Sequence, residues 1–167
     1  EKVLAKLGVQ AEIIDYRCPH IECIYRPFDV RHCKDLSSGA KKCVKGLELM
    51  KKRRRFYAFT KKYLSVTPKC RTKKELQRIA SDYETLITGS DQVWNPDAVG
   101  GDFSYFLDFA GSDVKKIAYA ASMGYRSFPE KYESQCIEYL KRFESLSVRE
   151  KSACETVAAL TGKAVEN

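Results

Sequence analysis

Residues 85–95 join a short apolar run to a group of side chains that could bind a hydroxyl-rich ligand. The run from Leu86 to Thr88 predicts a buried strand, and the glycine that ends it permits a sharp turn. In an open α/β sheet, ligands bind just beyond the carboxyl ends of the strands. The side chains that follow this strand are therefore candidates for a substrate cleft: Gly89, Ser90, Asp91, Gln92, Trp94 and Asn95.

The chemistry that these side chains offer is recognition of a sugar. One carboxylate with several amide and hydroxyl groups supplies the mixed donors and acceptors that a polyhydroxylated ligand needs. Trp94, the only tryptophan, could stack on the apolar face of a sugar ring. A structural turn or helix cap is the alternative for Ser90 and Asp91, and core packing is the alternative for Trp94.

Two further predicted strands end in the same way. Apolar runs at residues 116–121 and 146–148 are each followed by small or charged residues. Because parallel strands end at the same edge of a sheet, we expect these residues to share one cleft with residues 89–95. The residues concerned are Ser122, Gly124, Arg149 and Glu150.

Arg149 is the candidate for binding an anion. It follows a strand and precedes a predicted helix N-terminus, where free N–H groups and the helix dipole favour negative charge. A guanidinium binds phosphate or carboxylate through two parallel hydrogen bonds. A structural ion pair with Glu150 or Asp91 is the alternative, as tight strand-to-loop packing is the alternative for Ser122 and Gly124.

The elements that must position these residues alternate between helix and strand. This order predicts an α/β fold with a Rossmann-like parallel sheet, flanked by helices and joined by right-handed crossovers. Thr72 and Glu75 form a capping-box pattern at a helix start. We predict helices at residues 1–7, 40–63 (one long helix or two short ones), 72–80, 130–143 and 150–160, strands at 9–16, 86–88, 116–121, 146–148 and 164–165, and irregular structure at 18–38.

Several ligand classes lack their sequence signals. The three-glycine dinucleotide fingerprint and the phosphate-loop lysine motif are absent, so we expect no cofactor. A group of cysteines and histidines lacks the two tight ligand pairs of a tetrahedral zinc site, so we expect free cytosolic thiols and no metal. That group is Cys18, His20, Cys23, His32 and Cys33. No membrane-spanning run or signal-peptide pattern is visible, which predicts a cytoplasmic protein.

The positive charge is concentrated in one segment. Between Lys34 and Lys74 there are 15 basic and 2 acidic residues, whereas the remainder has 15 basic and 20 acidic residues. Three interpretations stay open: a solvated insertion face, docking of Lys41–Lys62 to an anionic membrane surface, and nucleic-acid binding. No nucleic-acid reader motif supports the last, so nucleic acid is not expected as a partner.

The chain resembles the polysaccharide pyruvyl transferase family. The resemblance rests on residues 89–95 (GSDQVWN), 105–109 (YFLDF), 119–124 (YAASMG) and 147–150 (SVRE). It extends from about residue 82 to the end, with a weaker match at Gly8 and residues 13–16, while residues 17–72 match no known pattern.

The resemblance implies a bacterial enzyme of exopolysaccharide biosynthesis. Such an enzyme transfers pyruvate from phosphoenolpyruvate, as co-substrate, to a sugar of a cell-surface polysaccharide or of its lipid-linked precursor. It also implies that Arg149 contacts the donor. Asp91 is our candidate for orienting or deprotonating an acceptor hydroxyl in that reaction. Family members are built as two facing Rossmann-like halves, similar to GT-B glycosyltransferases.

On this basis residues 1–167 are expected to form one Rossmann-like domain, the N-terminal half of a larger enzyme. A basic helical insertion is expected at about residues 17–80. The piece alone is expected to be inactive, with peripheral association at the inner membrane face as an option. The alternatives are a nucleotide-sugar-dependent glycosyltransferase of GT-B-like fold and a non-enzymatic basic module that binds nucleic acid or a membrane surface.

Overall fold

The computed structural model of the chain describes residues 2–24 and 36–167, with side chains described from residue 44 onward in the second range. The chain divides into two compact units, residues 1–71 and residues 72–167, which are described separately. His32, Cys33 and most of the predicted irregular segment lie outside the described residues. The predicted single-domain organisation stays a prediction.

The first unit is mostly helical. Its helices are α1 (Lys2–Lys6), α2 (Pro19–Ile24) and α3 (Leu36–Tyr63). The predicted strand at residues 9–16 forms isolated parallel bridges, Ile13 to Val66 and Tyr16 to Cys70. The prediction of irregular structure at residues 18–38 was wrong over α2 and over the first residues of α3. Pro19 occupies the first position of α2, where a missing N–H costs nothing.

The second unit contains a parallel sheet. Its strands are β1 (Thr85–Gly89), β2 (Lys115–Ala121) and β3 (Ser145–Val148), in the order β1-β2-β3. Glu166 adds a parallel bridge to Ser147, where the sequence predicts the start of a further strand. The predicted α/β class with a Rossmann-like parallel sheet is confirmed, while the similarity to a GT-B-like half stays a prediction.

The helices of this unit are α4 (Lys73–Ala80), α5 (Glu130–Leu140) and α6 (Lys151–Thr161). The predicted capping box is present: the Thr72 hydroxyl accepts from the Glu75 backbone N–H, and the Glu75 carboxylate accepts from the Thr72 N–H at 2.9 Å. A short 3₁₀ turn covers Ser104–Phe106. Helix α5 ends three residues earlier than predicted, although Phe143 beyond it is still buried.

One face of the sheet carries the core. Helix α5 contacts both α6 and the 3₁₀ turn, which in turn contact β3 and β1, so these elements form one layer against the sheet. On that face Leu86, Ala118 and Leu146 are buried, whereas Ile87 and Tyr119 alternate to the other face and are exposed. The polar strand ends are therefore supported by a packed layer.

A buried carboxylate ties α4 to this layer. The Asp108 side chain is only 1% exposed and forms an ion pair with Lys73 Nζ at 2.5 Å. Arg142 also holds this segment, because its guanidinium donates to the backbone carbonyls of Asp108 and Ala110. Asp108 belongs to the YFLDF motif, and its surroundings identify a structural role for that residue.

Replacing Lys73 with methionine should lower the free energy of unfolding by about 2–3 kcal/mol, because the Asp108 carboxylate would remain buried without its cation. This loss of stability is smaller than that expected when both partners are buried, because the Lys73 side chain is more than half exposed. The hydrogen bond to Asp108 raises the pKa of Lys73 above its ordinary 10.5. The ion pair therefore stabilises the fold below pH 10.5, and its contribution is lost as the pH rises through the raised pKa.

Urea unfolding at pH 7 and at high pH measures this difference. Lys74→Met is the matched control, since Lys74 is exposed and should change stability by no more than about 0.5 kcal/mol. A Lys73→Met variant as stable as this control would show that the ion pair contributes nothing.

Candidate active site

The loop after β1 is anchored to the end of β2 by backbone hydrogen bonds. Ser90 N–H donates to the Ala120 carbonyl at 3.2 Å, and Ser122 N–H donates to the Asp91 carbonyl at 2.9 Å. Trp94 N–H then donates back to the Ser122 carbonyl at 3.1 Å. Residues 90–94 therefore lie against the carboxyl end of β2, as the sequence predicts.

The end of β3 joins the other side of β2. Arg149 N–H donates to the Ala121 carbonyl at 2.9 Å, and the Ser147 hydroxyl accepts from Ala120 N–H at 3.4 Å. The register between β2 and β3 is irregular between Ala118 and Ala121, and Ala120 has a φ of 49°. The shift ends the regular pairing of β2 with β3 just before the carboxyl ends of the two strands. The three strand ends thus meet at one edge, which we call the rim: residues 89–95, 122–126 and 149–150.

Two glycines allow the rim loops to approach closely. Gly89 has a φ of 147°, and a Cβ there would lie 1.9 Å from the Tyr119 carbonyl oxygen. Gly124 has a φ of 67°, and a Cβ there would lie 3.0 Å from Gln92 Cδ and 3.1 Å from Asn95 Nδ2. A side chain at position 89 would push β1 away from β2, and one at position 124 would displace the Gln92 and Asn95 side chains.

Ser122 is the buried member of the rim and links the end of β2 to the residue before α6. It is fully buried, and its hydroxyl donates to Glu150 Oε1 at 2.6 Å and accepts from Gly124 N–H at 3.3 Å. A ligand at the surface would not reach this hydroxyl. Ser122 therefore has the packing role that was the alternative for it. It can contribute to a cleft only by holding Glu150 and Gly124 in place.

Asp91 and Gln92 are exposed polar residues of the first loop. Asp91 Oδ1 accepts from Gln92 N–H at 2.8 Å, which fixes the carboxylate locally. Asn95 is buried and its Oδ1 accepts from Ala98 N–H at 3.0 Å, so its oxygen caps a turn. Ser90 is exposed with a φ of 74°, a strained value of the kind that clusters at functional sites.

Trp94 is a core residue, and its prediction as a sugar-stacking residue of the cleft was wrong. Its side chain is 0% exposed and stacks on Phe106 at a centroid distance of 5.8 Å. The Phe143 ring packs edge-on at 5.7 Å. A ring enclosed by two aromatic neighbours has no free face for a sugar, and burial of so large an apolar surface stabilises the layer beneath the rim.

Arg149 supplies a cation at the end of β3, and the Glu150 carboxylate lies beside it. Arg149 Nε lies 3.4 Å from Glu150 Oε1, so the predicted structural ion pair exists, while the Arg149 side chain is about half exposed. Its ion pair with Asp91, the other alternative, is not formed among the described residues. Glu150 immediately precedes α6 and makes no side-chain cap, which leaves the first N–H groups of that helix without a side-chain acceptor. The region therefore favours an anion.

A polar cluster beside Gly124 was missed in the sequence. Tyr125 donates to Asp97 Oδ2 at 3.3 Å, and Lys131 pairs with Asp97 Oδ1 at 2.7 Å. The hydrogen bond from Lys131 lowers the pKa of Asp97, and partial burial followed by the charge of Asp97 raises the pKa of Tyr125. Tyr125 directly follows the motif at residues 119–124, so its position was a usable sequence signal. Asp97 and Lys131 are distant from each other in sequence and come together beside Tyr125 only through folding.

Arg126 is a second exposed guanidinium on the rim. Its backbone carbonyl accepts from the Thr156 hydroxyl of α6 at 2.9 Å, so its position relative to α6 is defined. Among the described residues there is no group of three or more His, Cys, Asp or Glu side chains that could hold a metal ion. In that same part of the chain, every helix is too short or too polar to cross a bilayer.

The second unit is an α/β structure that presents a carboxylate and guanidinium groups at the carboxyl ends of its parallel strands. The chain belongs to the polysaccharide pyruvyl transferase family, whose model matches residues 1–166. This match also covers residues 17–72, for which the motifs alone indicated no family. No curated protein and no solved structure matches the chain. The family is one of transferases that act on polysaccharide.

Proposed function

We propose that the intact protein transfers pyruvate from phosphoenolpyruvate to a sugar of a polysaccharide or of its lipid-linked precursor, forming a ketal. The observation that carries the proposal is the position of Asp91 and Arg149 on either side of one strand end. Their loops are hydrogen-bonded to Ser122 and Ala121, the consecutive residues at the end of β2. Membership of the family supplies the reaction class.

The reaction needs an acid, a base and cations. A proton adds to the methylene carbon of the donor, one sugar hydroxyl bonds to the adjacent carbon, and a second hydroxyl displaces phosphate from that carbon. The donor's phosphate and carboxylate are both anionic, so a guanidinium is a suitable ligand for either group. The hydroxyl that attacks must lose its proton, which requires a base within hydrogen-bond reach.

Arg149 is proposed as a donor ligand and Asp91 as the group that orients or deprotonates an acceptor hydroxyl. Asp91 suits this role because one of its oxygens is held by Gln92 N–H, so the carboxylate has a defined direction while its side chain is exposed. Gln92, Ser90 and Glu150 are proposed as further ligands or supports of the same cleft. No residue is assigned to donor protonation.

Phosphate release measures the proposed activity directly. The intact protein, incubated with phosphoenolpyruvate and candidate acceptor sugars, should release inorganic phosphate only when a suitable acceptor is present. Release of nucleotide from a nucleotide-sugar, with phosphoenolpyruvate unconsumed, would instead establish a glycosyltransferase. Turnover of neither donor across the acceptor panel would contradict the proposal.

Asp91→Asn should lower kcat about 100-fold or more, because the amide keeps the shape of the carboxylate but cannot take up a proton. The fold should persist, since the asparagine oxygen can still accept from Gln92 N–H. Donor binding should change little, so the KM for phosphoenolpyruvate is expected to stay near that of the wild type. Steady-state kinetics of the intact protein checks both constants.

Asp113→Asn is the matched control for this variant. Asp113 is exposed and lies just before β2, at the opposite end of the strand from the rim. Its replacement should leave kcat unchanged. If Asp91→Asn and Asp113→Asn have the same activity, Asp91 serves only the local turn.

A further inference from the structure

Helix α3 exposes apolar and basic side chains together, and the proposed function does not account for either. Between residues 44 and 63 there are eight basic residues and one acidic residue. All eight basic side chains are exposed. Seven large apolar or aromatic side chains of the same helix are also between 42% and 68% exposed. Large exposed apolar surface of this kind marks an interaction site.

The helix has a side that packs and a side that does not. Gly46 is buried and Leu49 and Thr60 are partly buried, and a helix of 3.6 residues per turn places these three positions on one side. Residues at the opposite side follow steps of three and four along the chain. We call this set the outer stripe: Val44, Leu47, Lys51, Arg55, Phe59 and Lys62.

The outer stripe alternates apolar and cationic side chains. Val44, Leu47 and Phe59 are each more than half exposed, and Lys51, Arg55 and Lys62 are exposed as well. Long basic side chains can direct their charges toward lipid head groups while neighbouring apolar side chains enter the boundary with the acyl chains. A bilayer that contains anionic lipid satisfies both kinds of side chain at once.

We propose that the outer stripe of α3 is a docking surface for an anionic phospholipid bilayer. Charge complementarity selects this occupant. A second copy of the helix would bring eight cations against eight, which repel. A nucleic acid would neutralise the cations and stack on aromatic rings, but it has no apolar surface that would bury the exposed Val44 and Leu47 side chains.

Sedimentation of the chain with lipid vesicles tests the proposal. The chain should bind vesicles that contain phosphatidylglycerol and should not bind vesicles of phosphatidylcholine alone. Binding should weaken strongly between about 0.1 and 1 M salt, because the Debye length falls from about 10 to 3 Å. Equal binding to the two kinds of vesicle, or no binding to either, would overturn the proposal.

Two triple variants separate the outer stripe from general positive charge. Lys51→Gln with Arg55→Gln and Lys62→Gln should weaken vesicle binding about a hundredfold. Lys45→Gln with Lys52→Gln and Arg53→Gln removes the same charge from the other half of the helix and should weaken binding less than about tenfold. Equal losses in the two variants would show that the outer stripe is not the docking surface.

The apolar residues provide a further test at constant charge. Leu47→Ser with Phe59→Ser should weaken binding to the anionic vesicles about tenfold, whereas a purely electrostatic contact would be unaffected. A single-stranded oligonucleotide added as competitor should not displace the vesicles at equimolar phosphate. If it binds the chain more tightly than the vesicles do, the surface is a nucleic-acid site. Far-UV circular dichroism of each variant confirms that α3 is intact.

Discussion

Replacing Arg149 with lysine in the intact protein should lower kcat/KM for phosphoenolpyruvate about 100-fold. The Glu150 carboxylate lies against Arg149 Nε at 3.4 Å, and the terminal Nη groups make no hydrogen bond among the residues that the structure describes. Those two groups form the fork that binds phosphate or carboxylate through parallel hydrogen bonds. Lysine keeps the charge but replaces the fork with a single ammonium, so it should bind the donor with the wrong geometry.

Steady-state kinetics and calorimetric titration with phosphoenolpyruvate measure the two parts of this effect. Arg149→Gln, which also removes the charge, should lose about 1000-fold in kcat/KM. Arg78→Lys is the matched control, because Arg78 is exposed on α4, which precedes β1 and lies away from the rim. If Arg149→Lys binds and turns over the donor as Arg78→Lys does, Arg149 has only a structural role in its ion pair with Glu150.

The sheet could be predicted from short-range pattern. The apolar runs at residues 86–88, 116–121 and 146–148 lie within β1, β2 and β3, whereas the predicted strand at 9–16 forms only isolated bridges. The start of α4 was equally predictable, since Thr72 and Glu75 cap the helix with their own side chains. Helix α2 was not, because its six residues are too few to show a helical apolar period and none of them is buried.

The candidate site could be predicted only as far as strand ends determine it. That Asp91, Ser122 and Arg149 meet at one edge follows from parallel strands and was expected. Which side chain at the edge points outward does not follow, and there the structure separates exposed Asp91 from buried Ser122. The cluster around Asp97 needed the β1–β2 loop to fold onto α5, which depends on long-range contacts.

The family motifs themselves combine two kinds of residue. Trp94 of the first motif stacks on Phe106 of the second, and the buried carboxylate of Asp108 in the second motif pairs with Lys73. These contacts give Trp94 and Asp108 structural roles in the core. Trp94 and Asp91 lie three residues apart in one motif, yet one supports the rim from the core and the other is exposed on it. A motif therefore locates a site without assigning a role to each of its members.

Trp94→Ala should lower the free energy of unfolding by about 3–5 kcal/mol, because it removes the largest buried side chain between Phe106 and Phe143 and leaves a cavity there. Trp94→Phe should cost much less, about 1 kcal/mol. The phenyl ring keeps most of the aromatic contact, and the indole Nε1 that it lacks has no hydrogen-bond partner among the described residues. Urea unfolding followed by circular dichroism measures both variants.

The same pair of variants distinguishes a core tryptophan from a sugar-stacking one. If Trp94 were a platform for the acceptor, alanine would raise the KM for the sugar and leave the unfolding midpoint where it is. Because Trp94 is buried, we expect Trp94→Phe to leave the KM for the acceptor unchanged in the intact protein. Because Trp94 is the only tryptophan, the wild-type emission should also be blue-shifted in the folded chain and move to longer wavelength on unfolding. A red-shifted emission in the folded state that is quenched by added sugar would show that Trp94 is exposed in the cleft. That result would contradict the packing described for this layer.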